Sequence, residues 1–305
     1  MQSFLLVKEE TMKNLIKNFF MCGCILCGTA LGSTSCGGSS GGLKIVHFEQ
    51  SILGDTQKEL GVSIGIKKGN SDLQTKINGA LATLDSATRS EWMIDATARS
   101  NGTMSEGEPI TLTHDDSKPT LKVGLECNYA PFNRTDTTKN DYNYEIAGKT
   151  NAWADGYDIQ VAKYICQQIN YNLEIISMGW DALIPSLQAS TVDAVIAGMT
   201  DTEERRLSID FTDEYYRSEM VLVVKSESIY ASATSLEDFK GAKIVSQKET
   251  VTDKVIADWA SKYGVVHLNA LTDFATCALS VQTGSADAMT AELPVATSIV
   301  NGANL

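Results

Sequence analysis

Apolar positions along this chain follow two spacings: short alternating or continuous runs of strand length, and stripes three and four residues apart. Residues 43–48 form a strand-like run, and 61–67 alternate before a Gly-Asn turn at 69–70. Ser71 is placed to cap the helix that follows, in which Leu73, Ile77, Leu81 and Leu84 make one buried stripe. Residues 101–118 are polar, rich in Gly, Ser, Thr and acids, and read as a linker. Further on, Asp158 is expected to cap a helix whose Val161, Ala162, Ile165 and Ile169 face one way, and 171–178 is the next strand. Residues 192–199 are a mostly apolar run, as expected of a strand covered on both faces. Ser235 begins a short capped helix, 242–246 is a strand, and 248–253 open a helix running through Trp259. Strands alternating with helices predict an α/β fold.

The chemistry concentrates between Trp180 and Tyr216. Pro185 is tolerated near the start of a short amphipathic helix because the first N–H groups of a helix lack intrahelical partners. The run 192–199 then feeds Thr200-Asp-Thr-Glu-Glu-Arg, a helix-start sequence. A strand entering a helix N-terminus aims backbone N–H groups at one point, where a carboxylate or phosphate can sit. Arg205 can close on the same anion with its guanidinium fork. The alternative is a solvated surface arginine.

Four segments of this stretch carry a resemblance: Trp-Asp-Ala-Leu-Ile-Pro-Ser-Leu from 180, Asp-Ala-Val-Ile-Ala-Gly-Met-Thr from 193, Thr-Glu-Glu-Arg from 202 and Asp-Phe-Thr-Asp-Glu-Tyr-Tyr from 210. In order and spacing they resemble the polar amino-acid-binding members of the bacterial extracellular solute-binding proteins, family 3, the receptor subunits of ABC importers. The resemblance implies a two-lobed α/β fold of the Venus-flytrap kind, with two hinge-crossing strands and ligand held between the lobes. It also implies that 219–225 crosses between lobes and that a helix lies around 91–98. The segment order departs from the family's. Residues 43–100 match the family's C-terminal end but come first here, whereas 121–133 match its N-terminal strand and first binding loop. We read this as a circular permutation, with a fragment of a tandem pair as the rival. On that reading 43–58 plus 223–305 form lobe 2, and 59–100 plus 119–222 form lobe 1. Residues 101–118 join the family's usual termini, and 142–155 are an insertion.

The resemblance also assigns a binding site. For an α-carboxylate it offers Arg205, Thr200 and Thr250, the last preceded by Glu249 where the family has Gly. For an α-ammonium it offers Glu292 and the carbonyl of Gly198. Tyr129 and Trp180 resemble aromatic walls, Met199 adds polarisable surface, and Glu126 is the acid that meets a distal group, with Gln247 opposite. Thr250 as a plain helix cap and Glu292 as a helix-start acid are the structural alternatives, and Phe132 is read as core. An acid between aromatics favours a cation, so arginine or lysine leads, then histidine, glutamine or another polar amino acid. Some relatives of the fold are dehydratases of prephenate-like acids, in which Glu126 or Glu292 would be a general acid. Ion-pairing duties suit both better, so no enzyme is expected; a ligand-sensing module is the third reading.

Charge and cysteines narrow this further. Twenty-five basic against 38 acidic residues leave a net charge of −13, without the cationic footprint that nucleic-acid binding needs. Residues 12–36 read as a signal segment, with Met12 as start: a basic beginning, an uncharged apolar run from 19 to 31, then small residues before Cys36. A Gly/Ser tether, 37–42, follows. The pattern resembles a lipoprotein signal with Cys36 lipidated, which would place an exported protein on the outer face of the membrane or in the periplasm. Ser33 stands where lipoprotein signals usually carry an aliphatic residue. Cys127, Cys166 and Cys277 have neither CxxC spacing nor neighbouring histidines, so no metal, cofactor or disulfide is expected.

Overall fold

Strands and helices alternate along the chain, and their arrangement explains which residues reach the cleft. The computed structural model describes residues 42–48, 61–103 and 107–302, all within one unit spanning Ser40–Leu305. The front of the chain supplies β1 (Leu43–Val46), β2 (Gly61–Lys67), α1 (Ser71–Ala82) and α2 (Ser86–Ser100). The middle supplies β3 (Thr120–Leu125), β4 (Asn128–Tyr129), β5 (Asn133–Asp136), β6 (Tyr144–Glu145), β7 (Trp153–Asp155), α3 (Tyr157–Ile169) and β8 (Asn172–Ser177). There follow α4 (Leu183–Gln188), β9 (Ala194–Val195), α5 (Glu203–Arg206), β10 (Ile209–Arg217) and β11 (Met220–Lys225). The rest is β12 (Lys243–Val245), α6 (Val251–Tyr263), β13 (Val266–His267), α7 (Phe274–Thr283), β14 (Ala288–Glu292) and α8 (Leu293–Val300).

These strands build two five-stranded sheets, ordered β10-β2-β9-β3-β8 and β1-β11-β14-β12-β13, with a small β4-β5-β7-β6 sheet beside the first. Each large sheet is the centre of one α/β lobe. The chain passes between them at 218–219, from β10 to β11. The front segment contributes to both sheets. β1 lies antiparallel at the edge of the second sheet on β11, and β2 runs antiparallel in the interior of the first, between β10 and β9. The connection between β1 and β2 falls outside the described residues, as do the expected signal segment 12–36, Cys36 and most of the tether.

Local sequence explains the helix starts, with two corrections. Leu73, Ile77, Leu81 and Leu84 are buried as their spacing requires. The cap of α1, however, is Asn70 and not Ser71: the Asn70 side chain accepts from the Leu73 N–H at 3.3 Å. Gly69 turns the chain one residue earlier, so that Asn70 is the last residue outside the helix. Asp158 is likewise not a cap. The capping position of α3 is Gly156, at φ +132°, where a Cβ would stand 2.4 Å from the Phe132 carbonyl oxygen. Asp158 therefore lies inside the first turn, fully buried.

The expected strand at 192–199 is buried on both faces, but only Ala194–Val195 form a ladder. Residues 142–155, expected to be an insertion, are held at both ends of the segment. Its Asp155 is buried between Arg99 of α2, at 3.1 Å, and Arg134 of β5, at 2.9 Å. The Arg99 guanidinium also lies 4.5 Å from the Tyr142 ring centre, so the insertion ties the front helix to the small sheet. Cys127, Cys166 and Cys277 are free and buried. Among the described residues there is no cluster suited to a metal ion, and no helix is long and apolar enough to cross a membrane.

Candidate functional site

The loop after β9 begins the site. Gly198, at φ +59°, turns the chain out of the sheet, and Tyr129 packs where a Cβ would be, 2.8 Å from its ring. Backbone pairing to the front segment then fixes the next two residues: the Ser63 N–H donates to the Met199 carbonyl at 2.9 Å, and Val62 bridges Thr200. Thr202 caps α5 through the Arg205 N–H. The Arg205 side chain doubles back, donating from Nη1 to the Thr200 carbonyl at 2.7 Å and from Nη2 to the Glu249 carbonyl at 2.9 Å. Its guanidinium lies 5.3 Å from the Trp180 ring centre. Burial pushes its pKa down to about 10, against the pull of Glu204 and Glu292, so it stays charged at neutral pH.

The second sheet supplies the opposite wall. Glu249 adopts φ +61°, the left-handed conformation glycine takes more easily. This is the position where the family's pattern has Gly. Thr250 behaves as the cap alternative describes: its hydroxyl accepts from the Asp253 N–H at 3.1 Å and donates to the Gln247 carbonyl at 2.7 Å. Glu292 stands at the start of α8 but makes no side-chain cap bond. Its buried carboxylate accepts from the Tyr129 hydroxyl, and burial raises its pKa. Glu126, at the end of β3, accepts from Gln247 Nε2 at 2.9 Å, and the same nitrogen donates to the Thr272 carbonyl. Burial raises the Glu126 pKa to about 7, with the Gln247 bond opposing and Asp273 and Asp181 adding to it.

These side chains meet in one pocket, lined by Glu126, Tyr129, Trp180, Gly198, Thr200, Arg205, Gln247, Thr250 and Glu292. Met199 is not among them; it is 1% exposed and packs into the core, its carbonyl paired with β2. Val251 and Phe274 line the pocket without having been expected to. Both are ordinary apolar residues at helix starts, and nothing local marks them. Tyr129 is less open than an aromatic wall should be. It stacks on Phe132 at 5.2 Å and tilts against Phe274 at 4.9 Å, while Phe132 is fully buried, as a core residue should be. The aromatic face that meets a guanidinium in this arrangement is that of Trp180. Two rim pairs also join the lobes, Lys248 to Asp181 at 2.6 Å and Lys254 to Glu204. The cleft is thus closed, and the polar groups lining it bond one another.

A guanidinium, two carboxylates and aromatic surface thus meet between two α/β lobes. Residues 121–293 fit the family described as bacterial extracellular solute-binding proteins, family 3. The chain belongs to that family. The arginine-binding extracellular protein ArtP of Bacillus subtilis is 32% identical over 150 residues, which are 49% of this chain and 52% of ArtP. The histidine-binding periplasmic protein of Escherichia coli is 32% identical over 143 residues, 47% of this chain and 49% of that protein. The chain spans about half the length of these curated relatives. An ancestral arginine-binding protein, solved bound to arginine and bound to glutamine, superposes with a TM-score of 0.50 at 32% identity. The match covers 60% of this chain and about three-quarters of that one, at 73% and 74% in its two structures. The family 3 fold is accordingly the two-lobed one expected from the sequence.

Proposed function

We propose that this family 3 protein is an extracytoplasmic receptor that captures a polar amino acid between its lobes and delivers it to an ABC importer. The observation that carries this reading is the meeting of Arg205 with Glu292 and Glu126 in one pocket. A zwitterion needs a cation and an anion a few ångströms apart, and burial strengthens both contacts. In this scheme the ligand carboxylate takes the Arg205 fork and the N-terminal turn of α6, where unpaired N–H groups gather. The ammonium takes Glu292 and the Gly198 carbonyl, releasing Tyr129. The side chain reaches Glu126, displacing Gln247, and rests on Trp180. An acid at that depth favours arginine or lysine, then histidine or glutamine. The carboxylates act as ion-pair partners, so the scheme assigns no catalytic residue.

Three further parts belong to the proposal. The segment order is a circular permutation, which accounts for β1 and β2 completing two different sheets ahead of the residues they pair with. Because β11 pairs from Met220 onward within the second sheet, the expected lobe boundary at 222–223 moves to the crossing at 218–219: of the described residues, lobe 2 is 43–48 plus 219–302 and lobe 1 is 61–100 plus 119–218. Cys36 is the lipid-anchored first residue of the mature chain.

A thermal-shift screen of the standard amino acids tests the receptor reading. A ligand present at a thousandfold excess over its Kd stabilises by about 4 kcal/mol, and the largest shifts are expected for L-arginine and L-lysine. A screen in which no amino acid raises Tm overturns it.

A further inference from the structure

Behind the pocket lies a carboxylate that the binding scheme leaves unused. Asp158 is 0% exposed. Its Oδ2 accepts from Asn133 Nδ2 at 2.8 Å and its Oδ1 from the Tyr215 hydroxyl at 2.7 Å. Burying a carboxylate is costly, and here the two donors are neutral. A helix-start acid would bond the first N–H groups of its own helix. Asp158 instead reaches across to β5 and β10, and α3 has no side-chain cap.

Each donor is committed on its far side as well. Asn133 Oδ1 accepts from the Cys127 N–H at 2.7 Å, which fixes the amide so that its nitrogen faces Asp158. The Tyr215 oxygen accepts from the Gly198 N–H at 2.9 Å, which sends the hydroxyl proton toward Asp158. Both relays end on residues at φ +59°. That conformation is costly for a side chain such as that of Cys127 and needs support from its surroundings. Cys127 directly follows Glu126, and Gly198 lines the pocket. One buried carboxylate thus underlies both of the left-handed turns that present lobe 1 groups to the ligand.

We propose that Asp158 is a positioning residue of the binding site, holding the Cys127 and Gly198 peptides, and with them the Glu126 side chain and the Gly198 carbonyl, in the geometry a ligand meets. The proposal rests on the amino-acid-binding reading above. Only a carboxylate accepts from both donors at once. An amide at 158 accepts from one and turns an N–H against the other, so Asp158→Asn breaks at least one relay. Tyr215→Phe breaks only the relay to Gly198.

The test is a pair of measurements on the full chain. Amide NMR spectra without ligand are expected to show the Cys127 or Gly198 resonance, or both, displaced in Asp158→Asn. In Tyr215→Phe the Gly198 resonance alone should move. Calorimetry with L-arginine is expected to show affinity weakened roughly tenfold to a hundredfold in each, the range that loss of a buried hydrogen bond covers. Should Asp158→Asn fail to fold, Tyr215→Phe retains the ring stacked on Tyr157 and decides by the same two readouts. Unmoved amides, or moved amides with unchanged L-arginine affinity, overturn the proposal while the receptor reading stands. A parent protein that binds no amino acid overturns both.

Discussion

Glu126 provides the sharpest test of cationic selectivity, because burial makes its charge conditional. In the closed cleft its pKa is raised to about 7, above the ordinary value for glutamate, so the protonated form is favoured there. This contribution to stability is present below about pH 4.5 and is lost as pH rises through about 7. A guanidinium or ammonium beside Glu126 restores the charge, so binding a cation expels one proton wherever the free protein still holds it. The apparent affinity for L-arginine then falls by a factor of 1 + 10^(7 − pH), which is about 30-fold, or about 2 kcal/mol, between pH 8 and pH 5.5. Glu292 and Asp158 are also raised by burial, but Glu292 faces the ammonium common to all amino acids and Asp158 lies behind the pocket, so neither distinguishes one side chain from another. The ratio of L-arginine to L-glutamine affinity removes their share. Calorimetry across that range, in two buffers of different ionisation enthalpy, measures both the ratio and the protons released. The ratio should rise with pH in the parent protein and be smaller and flat in Glu126→Gln. A pH-independent ratio in the parent, or an unchanged ratio in the variant, would refute the assignment of Glu126 to the ligand's distal group.

Other perturbations probe separate parts of the argument. Arg205→Ala should cost about 2–5 kcal/mol of amino-acid affinity, the usual loss when a buried charge partner is removed, with the circular dichroism spectrum unchanged; near-parent affinity by calorimetry would remove Arg205 from the anion site. Gly198→Ala must hold a side chain at φ +59° and push Tyr129 away from a contact of 2.8 Å, so a thermal melt should show a loss of about 1–3 kcal/mol. A chain beginning at Leu121 lacks β1 and β2, and β2 is an interior strand of the first sheet. It should give no cooperative melt and bind no L-arginine, and a folded, binding product would defeat the permuted reading of the front segment.

Much of this architecture was legible because it is local. The stripe Leu73, Ile77, Leu81, Leu84 and the apolar residues of the run 192–199 need only their own spacing to declare a buried face, and the structure buries them. Helix boundaries slipped where two polar residues competed. Asn70 precedes Ser71, and only the backbone turn at Gly69 decides between them. Asp158 has the look of a cap in a linear reading, yet its partners Asn133 and Tyr215 lie 25 and 57 residues away. Val251 and Phe274 carry no chemistry of their own, and their presence in the pocket is a consequence of where α6 and α7 begin. The pairing of Tyr129 with Glu292, 163 residues apart, likewise exists only once two sheets face each other.

The dependence of the anion loop on β2 extends the same reasoning. Met199 and Thr200 have the residue types of a binding turn, but the neighbours that fix their backbone are Val62 and Ser63, more than 130 residues earlier. These contacts are main-chain pairs, which side-chain patterns do not encode. A front segment far in sequence from the central stretch is therefore part of the pocket's support. Its loss should be felt first at Thr200, whose carbonyl holds Arg205 in place.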